Sequence, residues 1–240
     1  MARVCVDSTF FGVDGMGQLT FKRTSVGLQQ LLVFTTVGTI QFHKADYPGL
    51  TRVRARVIGG GGGAAGALAN ASQGIARAGG SGGGYSESVF DAASLAASEV
   101  LIVGGGGAGG TDNVAGANGD LSAFAGTCFA NGGLGSQLVM SSGTVADATI
   151  GVAGAAVGSG QIALPGGPSE GGIRPDIASM LGGIGGTSGG AYGVGGLGAS
   201  AGSGTNGIRF GGGGGGACST GSTASGGNGA PGAVFLELFY

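Results

Sequence analysis

The pattern Gly-x-Ser-x-Gly, which places a serine nucleophile on a sharp turn in many hydrolases, occurs four times in this sequence. Its serines are Ser81, Ser169, Ser188 and Ser200. A hydrolase of this kind has its histidine after the nucleophile, but the single histidine, His43, precedes all four serines. Glycine abundance alone produces such matches, so we predict that none of these serines is a nucleophile and that His43 is a surface or strand-end residue.

The glycine fingerprint of dinucleotide-binding proteins also occurs, directly after two predicted strands. Its glycines are Gly61, Gly63 and Gly66 in the first copy and Gly104, Gly106 and Gly109 in the second. Glu87, on a later strand, would be the acidic partner of the first copy, but the helix that the fingerprint requires would be interrupted by glycine. Lys22 and Lys44, the two lysines, follow no glycine-rich loop, which excludes a Walker-type phosphate site. We therefore predict no cofactor.

Metal binding and acid catalysis have equally little support. Cys5, Cys128 and Cys218 are an odd, scattered set, and no pair of Cys or His residues has the spacing of metal ligands. We interpret them as buried or incidental thiols of a protein made in a reducing cytoplasm. Hydrolysis of a sugar by two carboxylates that flank it stays open as an alternative, although nothing in the sequence points to Asp112, Asp120 or any other pair. The prediction is a protein that is not an enzyme and binds no metal.

The element around which the chain is organised is residues 50–58, LTRVRARVI, a predicted strand that leads into five glycines. Three arginines alternate with three apolar residues, which is typical of a strand with one buried face: Arg52, Arg54 and Arg56 against Val53, Ala55 and Val57. The terminal AVFLELFY is predicted to pair beside this strand, because an exposed apolar end strand would aggregate. Further strands are predicted at QLTFKR (18–23), QQLLVFTT (29–36), TIQF (39–42), YSESVF (85–90) and EVLIV (99–103), and within LSAFAGTCFANGG and QLVMSSG.

Glycine dominates the rest of the chain, since only six of the 63 glycines precede residue 51. Disordered chains normally combine low hydrophobicity with high charge, whereas here 9% of residues are charged and the mean hydropathy is positive. Residues 143–232 carry only isolated large apolar residues, too few for a core of side chains. We therefore predict an ordered core of backbone, in which polyglycine II helices hydrogen-bond to one another. Residues 64–84 are predicted to be a loop.

The charge distribution limits the partners. Up to Ile58 there are seven basic and three acidic residues, and beyond it three basic and nine acidic. A sparse acidic body does not fit nucleic-acid binding, which needs clustered Lys and Arg. No apolar run of transmembrane length and no secretory signal are visible, so we expect no membrane insertion.

Several motifs follow one another in order from residue 34: FTTVGTIQF, ADYPGLTRVRARVIGGGGG, GGSGGGYSESVFDAASL, VLIVGGGGAGG, NGDLSAFAGTCFANGG, FGGGGGGA and GGNGAPGAVFLELFY. This order resembles the glycine-rich domain of bacteriophage minor tail and tail-fibre proteins. The resemblance implies a virion component at the tail tip or fibre end, made in the host cytoplasm. It also implies glycine helices packed as a sandwich, with variable loops that contact the host. The short N-terminal part, without a fibre shaft or coiled coil, departs from the family.

The expected fold is all-β, a glycine-rich β-sandwich-like body with packed polyglycine II helices and long loops. Residues 1–49 are predicted to be an N-terminal β segment for attachment or oligomerisation, and residues 50–240 to be the glycine-rich domain. By analogy with the family, we expect a homo-oligomer, such as a trimer, that docks to other tail proteins.

Two functions stay open. In the first, loops 64–78, 111–119, 168–181 and 217–226 bind a host cell-surface glycan or protein. In the second, the protein is a purely structural tail-tip decoration or spacer, because such loops are poor in the Trp, Tyr and Arg that anchor strong interfaces. A cellular glycine-rich wall protein is disfavoured, since short Gly-Gly-x repeats and a helical N-terminal domain are missing. The sequence assigns no receptor-binding residue.

Overall fold

The computed structural model describes residues 11–13, 18–21 and 28–240. In these ranges the chain forms short strands and two 3-10 helices, Lys44–Asp46 and Gly189–Ala191, and no α-helix. The strands are β1 (Phe11–Val13), β2 (Leu19–Phe21), β3 (Leu28–Phe34), β4 (Gly38–His43), β5 (Arg52–Ile58), β6 (Ile75–Ala76), β7 (Tyr85–Asp91), β8 (Ser98–Val103), β9 (Ser122–Phe124), β10 (Cys128–Ala130), β11 (Asp147–Ala148), β12 (Ile162–Leu164), β13 (Ile173–Arg174), β14 (Gly193–Val194), β15 (Ile208–Arg209), β16 (Cys218–Ser219) and β17 (Ala233–Phe239).

Two antiparallel sheets carry most of the strand residues. The larger sheet has the order β12, β7, β5, β17, β3, and the smaller has the order β10, β9, β8, β4. Strand β17 lies between β3 and β5, in a register that places Leu236 opposite Leu32 on one side and Ala55 on the other. The predicted pairing of the C-terminal strand with residues 50–58 is therefore confirmed, as is the all-β class.

One hydrophobic core joins the two sheets. Val53, Ala55 and Val57 of β5 are fully buried, together with Leu236 of β17 and Phe124 of β9 in the smaller sheet. The burial alternation predicted for β5 is thus confirmed. Each buried Val, Leu or Phe side chain contributes about 1.5–3 kcal/mol, so this core supplies the side-chain burial that the glycines lack.

The outer face of β5 is held by ion pairs. Arg54 lies 2.7 Å from Glu87 and 3.3 Å from Glu237, and Arg56 contacts Glu237 as well. Burial raises the pKa of the Glu87 carboxyl, but hydrogen bonds from Tyr85 and Arg54 and the nearby positive charges outweigh it and lower that pKa. The arginines therefore fasten β5 to its two neighbours on the side that the core does not reach.

Beyond the strands, a body of hydrogen-bonded glycine runs occupies the rest of the chain. Three inner runs contact one another: residues 59–66, 77–84 and 211–217. Nine outer runs surround them, in the spatial order 104–110, 116–120, 131–136, 151–158, 165–172, 182–189, 195–199, 203–207 and 226–232. Each outer run bonds to the next and the last bonds to the first, through the backbone everywhere except between 131–136 and 151–158, where the Asn131 side chain makes the link.

Each inner run has six neighbours, as residues 59–66 illustrate. Its N–H groups donate to runs 116–120, 226–232 and 77–84, and its carbonyl groups accept from runs 104–110, 131–136 and 211–217. The same neighbour recurs at every third residue: Gly60 N donates to Asp120 O at 3.0 Å and Gly63 N donates to Ala117 O at 2.9 Å. Backbone groups buried in this body are therefore paired without strand ladders.

Glycine is required by the close approach of these runs. A Cβ atom built on Gly61 would lie 2.1 Å from the Gly212 carbonyl oxygen, and one on Gly62 would lie 2.1 Å from the Leu134 carbonyl oxygen. Real Cβ atoms do not approach backbone so closely, and neighbouring backbone has no room to move in a closely packed interior.

Two local predictions have different outcomes. Residues 64–84 form no helix, and a loop is found at 67–74, but the strand β6 follows it and residues 64–66 and 77–84 belong to inner runs, so the predicted loop is confirmed only in part. The strand predicted in QLVMSSG, residues 137–143, is wrong. The backbone there has other partners, because the Met140 carbonyl accepts a hydrogen bond from Arg77 and Gly143 forms an isolated bridge with Gly74. Cys5 lies outside the described residues, as do Lys22 and Arg23 at the C-terminal end of the predicted strand 18–23.

The predicted domain boundary after residue 49 stays a prediction. Strands β3 and β4 precede it, yet β3 pairs with β17 and β4 pairs with β8, which both follow it. In the described part of the chain, the two predicted segments therefore share both large sheets.

We expect neighbouring glycines to differ sharply in their tolerance of a methyl group. The Cβ of Gly106→Ala would lie 2.1 Å from the Gly229 carbonyl oxygen, whereas that of Gly105→Ala meets first the mobile Asp120 carboxylate at 3.2 Å. G106A should lower the free energy of unfolding in urea by about 1–3 kcal/mol through overpacking. The matched control G105A should change it by no more than about 0.5 kcal/mol. Equal effects would show that the runs are not closely packed there.

Candidate functional site

Three serines of the Gly-x-Ser-x-Gly pattern form hydrogen bonds with the backbone of the glycine body. Ser81, Ser169 and Ser188 are buried, and their hydroxyl oxygens accept hydrogen bonds from backbone N–H groups. The donors are Leu134, Val152 and Gly193, at 2.7, 2.8 and 2.7 Å. Ser200 is exposed on a loop. The structure thus gives three of the four serines a structural task and brings none of these three to the surface.

The glycine fingerprints also belong to the scaffold. Gly61 and Gly63 lie in inner run 59–66, and Gly104, Gly106 and Gly109 lie in outer run 104–110. Within the described residues no helix follows either fingerprint. Glu87, the expected acidic partner, is on β7 and pairs with Arg54. The arrangement therefore lacks the strand, turn and helix unit that holds a dinucleotide.

The remaining candidate groups are dispersed. Cys128 and Cys218 are buried free thiols, and burial raises the pKa of each to about 11, so neither is a reactive thiolate near neutral pH. Asp120 contacts the inner run 59–66 at Gly60, and Asp112 contacts it at Gly66. The two aspartates therefore meet this run at opposite ends, and the structure does not bring them together as a catalytic pair.

A broad depression of about 520 Å³ lies at the end of the sandwich, beside the 3-10 helix Lys44–Asp46. Its one charged lining residue is Lys44, whose Nζ donates to the carbonyl oxygens of Ala92 and Leu95, at 2.9 Å each. The ammonium group is therefore engaged in closing the turn after β7. The rest of the lining is Ala, Pro, Gly and Leu, with Tyr47, whose pKa is raised by burial and by the nearby Asp46 charge.

Loops meet at the end of the glycine body that is remote from the sandwich. Run 59–66 starts directly after β5, so the loop that follows it lies at the far end, and five other loops join it there. We call this set the tip surface: residues 67–74, 111–115, 137–148, 173–181, 199–203 and 218–224. Its loops are fastened together, since Asn70 N donates to Ser142 Oγ at 2.8 Å, Ala69 N donates to Ser219 Oγ at 3.1 Å, and Asn113 binds the backbone of residue 68.

Arg77 fixes two of these loops, and the end of run 59–66 that leads into a third, by hydrogen bonds from within the body. Its side chain is 3% exposed and donates to Gly66 O at 3.0 Å, Met140 O at 2.7 Å and Asn113 Oδ1 at 2.8 Å. No carboxylate faces it among the described residues, and burial lowers the pKa of the guanidinium. The charge is balanced by the dipoles of neutral oxygens, which ties the loops to a fixed geometry.

Arg174 plays the same part on the other side of the tip. It is also 3% exposed, and donates to the carbonyl oxygens of Val145 at 3.0 Å, Ser141 at 2.7 Å and Gly74. The Asp147 carboxylate lies 3.5 Å from its Nη2. Arg174 therefore connects loop 137–148 to loop 67–74 and to strand β13.

The large exposed apolar side chains of the tip surface are all aliphatic. Val145 is 73% exposed and Val139 is 62% exposed, and the others are Val114, Leu138, Ile173, Ile177 and Leu181. Asp147 and Asp176 are the exposed charged groups of these loops. Two tip residues, Ser72 and Asp112, have φ of +59° and +56°, a strained conformation for residues with a side chain.

The four loops proposed from the sequence all contribute to the tip surface. Sequence reasoning missed loops 137–148 and 199–203, and it missed both arginines. A signal for the arginines was present, because only three basic residues follow Ile58 and isolated charges in an apolar chain call for buried partners. The order of the loops in space could not be inferred, since it depends on which glycine runs are neighbours.

Comparison with known proteins assigns no family. No protein-family model matches the chain, and no curated protein is significantly similar to it in sequence. Across the described ranges, no helix has the length and apolar character needed to cross a membrane. In the same ranges, His, Cys, Asp and Glu side chains form no group of three or more that could hold a metal ion.

We expect Arg77 to stabilise the tip. Replacing it by methionine keeps much of the aliphatic stem but leaves the buried Gly66 and Met140 carbonyl oxygens without a donor, while Asn113 Oδ1 keeps only its bond from Leu68 N. This loss should lower the free energy of unfolding by about 1–3 kcal/mol. Hydrogen exchange should increase in loops 67–74, 111–115 and 137–148. The matched control, Arg52→Met on an exposed strand position, should change stability by no more than about 0.5 kcal/mol. Unchanged exchange in all three loops would contradict this role.

Proposed function

We propose that the glycine runs are polyglycine II helices packed side by side in a hexagonal arrangement. The support is the three-residue repeat, since a helix with three residues per turn presents every third N–H in the same direction. Six neighbours for each inner run, and nine runs around three, are the numbers expected for closely packed parallel rods. Such a body is stiff, because each run is fixed by several others.

We further propose that the protein is a non-enzymatic component of a bacteriophage tail tip or tail fibre, which contacts the host cell surface through its tip surface. The observation that carries this proposal is that six loops converge at one end of the glycine body and are fixed there by Arg77 and Arg174. Binding residues are commonly placed on loops that a rigid scaffold holds. The motif order described above supplies the link to phage tails.

The chemistry of the tip suggests how the contact works. Aliphatic side chains and hydroxyl groups dominate, and the tip loops contain no Trp, Tyr or Phe. Interfaces without aromatic and Arg anchors are weak for each copy. Several copies acting together would raise the avidity by about 10² to 10⁴, which agrees with a homo-oligomer, such as a trimer, attached to other tail proteins on the virion.

A purely structural tail-tip protein is the second candidate. The observation that favours it is the same lack of aromatic and exposed basic residues at the tip. In that case the exposed aliphatic side chains would contact other tail proteins. In the first candidate function, the partner that we propose is a glycan or a protein of the host cell surface.

The two candidates differ in what exposed tip residues do. The triple change Val139→Ser, Val145→Ser and Ile177→Ser removes aliphatic contacts and leaves Arg77 and Arg174 in place. Introduced into intact phage, it should slow adsorption to host cells by about tenfold or more, as loss of a contact shared by several copies would.

The matched control changes exposed aliphatic residues on the side of the body: Val194→Ser, Leu197→Ser and Ile208→Ser. These phage should assemble and adsorb at the original rate. If the tip variant assembles and also adsorbs normally, the structural candidate replaces host contact. Failure of the tip variant to assemble would mean that the tip contacts another tail protein.

A further inference from the structure

Four asparagines of the glycine body are each followed by glycine: Asn118, Asn131, Asn206 and Asn228. Asparagine is chemically labile, and a following glycine leaves its side chain open to attack by the next backbone amide. The glycine nitrogen attacks the Asn Cγ atom, its proton passes to solvent, and ammonia leaves. Water then opens the cyclic imide to aspartate or isoaspartate. Attack requires a glycine nitrogen that is free and an asparagine side chain that can turn towards it.

In three of the four pairs, the following glycine nitrogen is occupied. Gly119 N donates to Gly133 O at 2.8 Å, Gly207 N donates to Asn228 O at 2.8 Å, and Gly229 N donates to Gly107 O at 2.9 Å. A nitrogen held in this way must first break its hydrogen bond and leave its place in the body.

The side chains of the same three asparagines are also fixed. Asn118 Oδ1 accepts from Gly135 N at 2.8 Å, and Asn228 Oδ1 accepts from Gly109 N at 2.7 Å. Asn206 Oδ1 accepts from Asn228 N at 2.8 Å. Each amide group completes the backbone bonding of a neighbouring run, so turning it towards its own glycine would leave an N–H group unpaired.

Asn131 differs in both respects. Gly132 N donates to no group within the described ranges, and Asn131 Oδ1 accepts no hydrogen bond there. The side chain is held only through Nδ2, which donates over the longer distances of 3.3 Å to Ala156 O and 3.2 Å to Val157 O. Asn131 is nevertheless less exposed than the other three asparagines, so exposure alone would rank it last.

We propose that Asn131 is the deamidation site of the folded protein, and that Asn118, Asn206 and Asn228 are protected by the glycine body. The product carries a carboxylate where Nδ2 donated to Ala156 and Val157, so two hydrogen bonds are lost and oxygen atoms face one another. This is the place where the ring of outer runs is closed by a side chain. Deamidation therefore releases run 151–158 from run 131–136.

The test is incubation of the intact folded protein at mildly alkaline pH and 37 °C, followed by peptide mass spectrometry. Chymotrypsin cleaves after Phe124 and Phe129, which separates Asn118 from Asn131. Asn131 should deamidate at least about tenfold faster than each of the other three. Those three must free a bonded glycine nitrogen and leave the N–H group that their Oδ1 accepts from unpaired, whereas Asn131 gives up only two long Nδ2 hydrogen bonds. In denaturant, all four should react at rates that agree within about threefold, since each is followed by glycine.

Two variants complete the design. Asn131→Gln should abolish the fast release of ammonia, while Asn118→Gln should leave it unchanged. Hydrogen exchange of residues 151–158 should increase as Asn131 reacts. The proposal is overturned if another of the four asparagines reacts as fast as Asn131 in the folded protein, or if Asn131 is as slow as the rest.

Discussion

Backbone hydrogen bonding is the constraint on which this structure depends. A chain rich in glycine has few side chains to bury, and its N–H and C=O groups must still find partners once water is excluded. The runs meet this requirement by bonding to different neighbours at successive residues, with the same neighbour at every third position. Outer runs have neighbours on one side only, and hydroxyl and amide oxygens complete their hydrogen bonding, as Asn118 Oδ1 does for Gly135 N and Thr205 Oγ1 does for Leu197 N.

The sandwich and the glycine body depend on each other. Ordering each residue costs roughly 1–2 kcal/mol, and glycine loses the most freedom, so a single run has no stability of its own. Strands set the runs in place: β5 continues into run 59–66, run 77–84 continues into β7, β8 continues into run 104–110, and run 226–232 continues into β17. The buried Val, Leu and Phe side chains between the sheets thus stabilise the starting positions from which the runs extend.

The parts of the fold that could be predicted are those that depend on local sequence patterns. Period-two alternation gave the buried face of β5, and the apolar end of the chain gave the pairing of β17 with β5. QLVMSSG misled because apolar residues suggest a strand, while the partner that occupies its backbone, Arg77, lies about 60 residues away in sequence. Four of the six tip loops were predicted singly, but not as one site, since the choice of neighbour among near-identical glycine runs leaves no mark in the local sequence.

The scaffold also decides where function can lie. Several residues that resemble catalytic or binding motifs have structural roles in the glycine body. The hydroxyl groups of Ser81, Ser169 and Ser188 accept backbone hydrogen bonds, and Gly61 allows two runs to approach closely. The tip loops, where runs end, carry Val139 and Val145, which are among the most exposed apolar side chains of the described residues. Under the proposal of host contact, the loops are the part of this body that meets another molecule, and Arg77 and Arg174 hold those loops together at the end remote from the sheets.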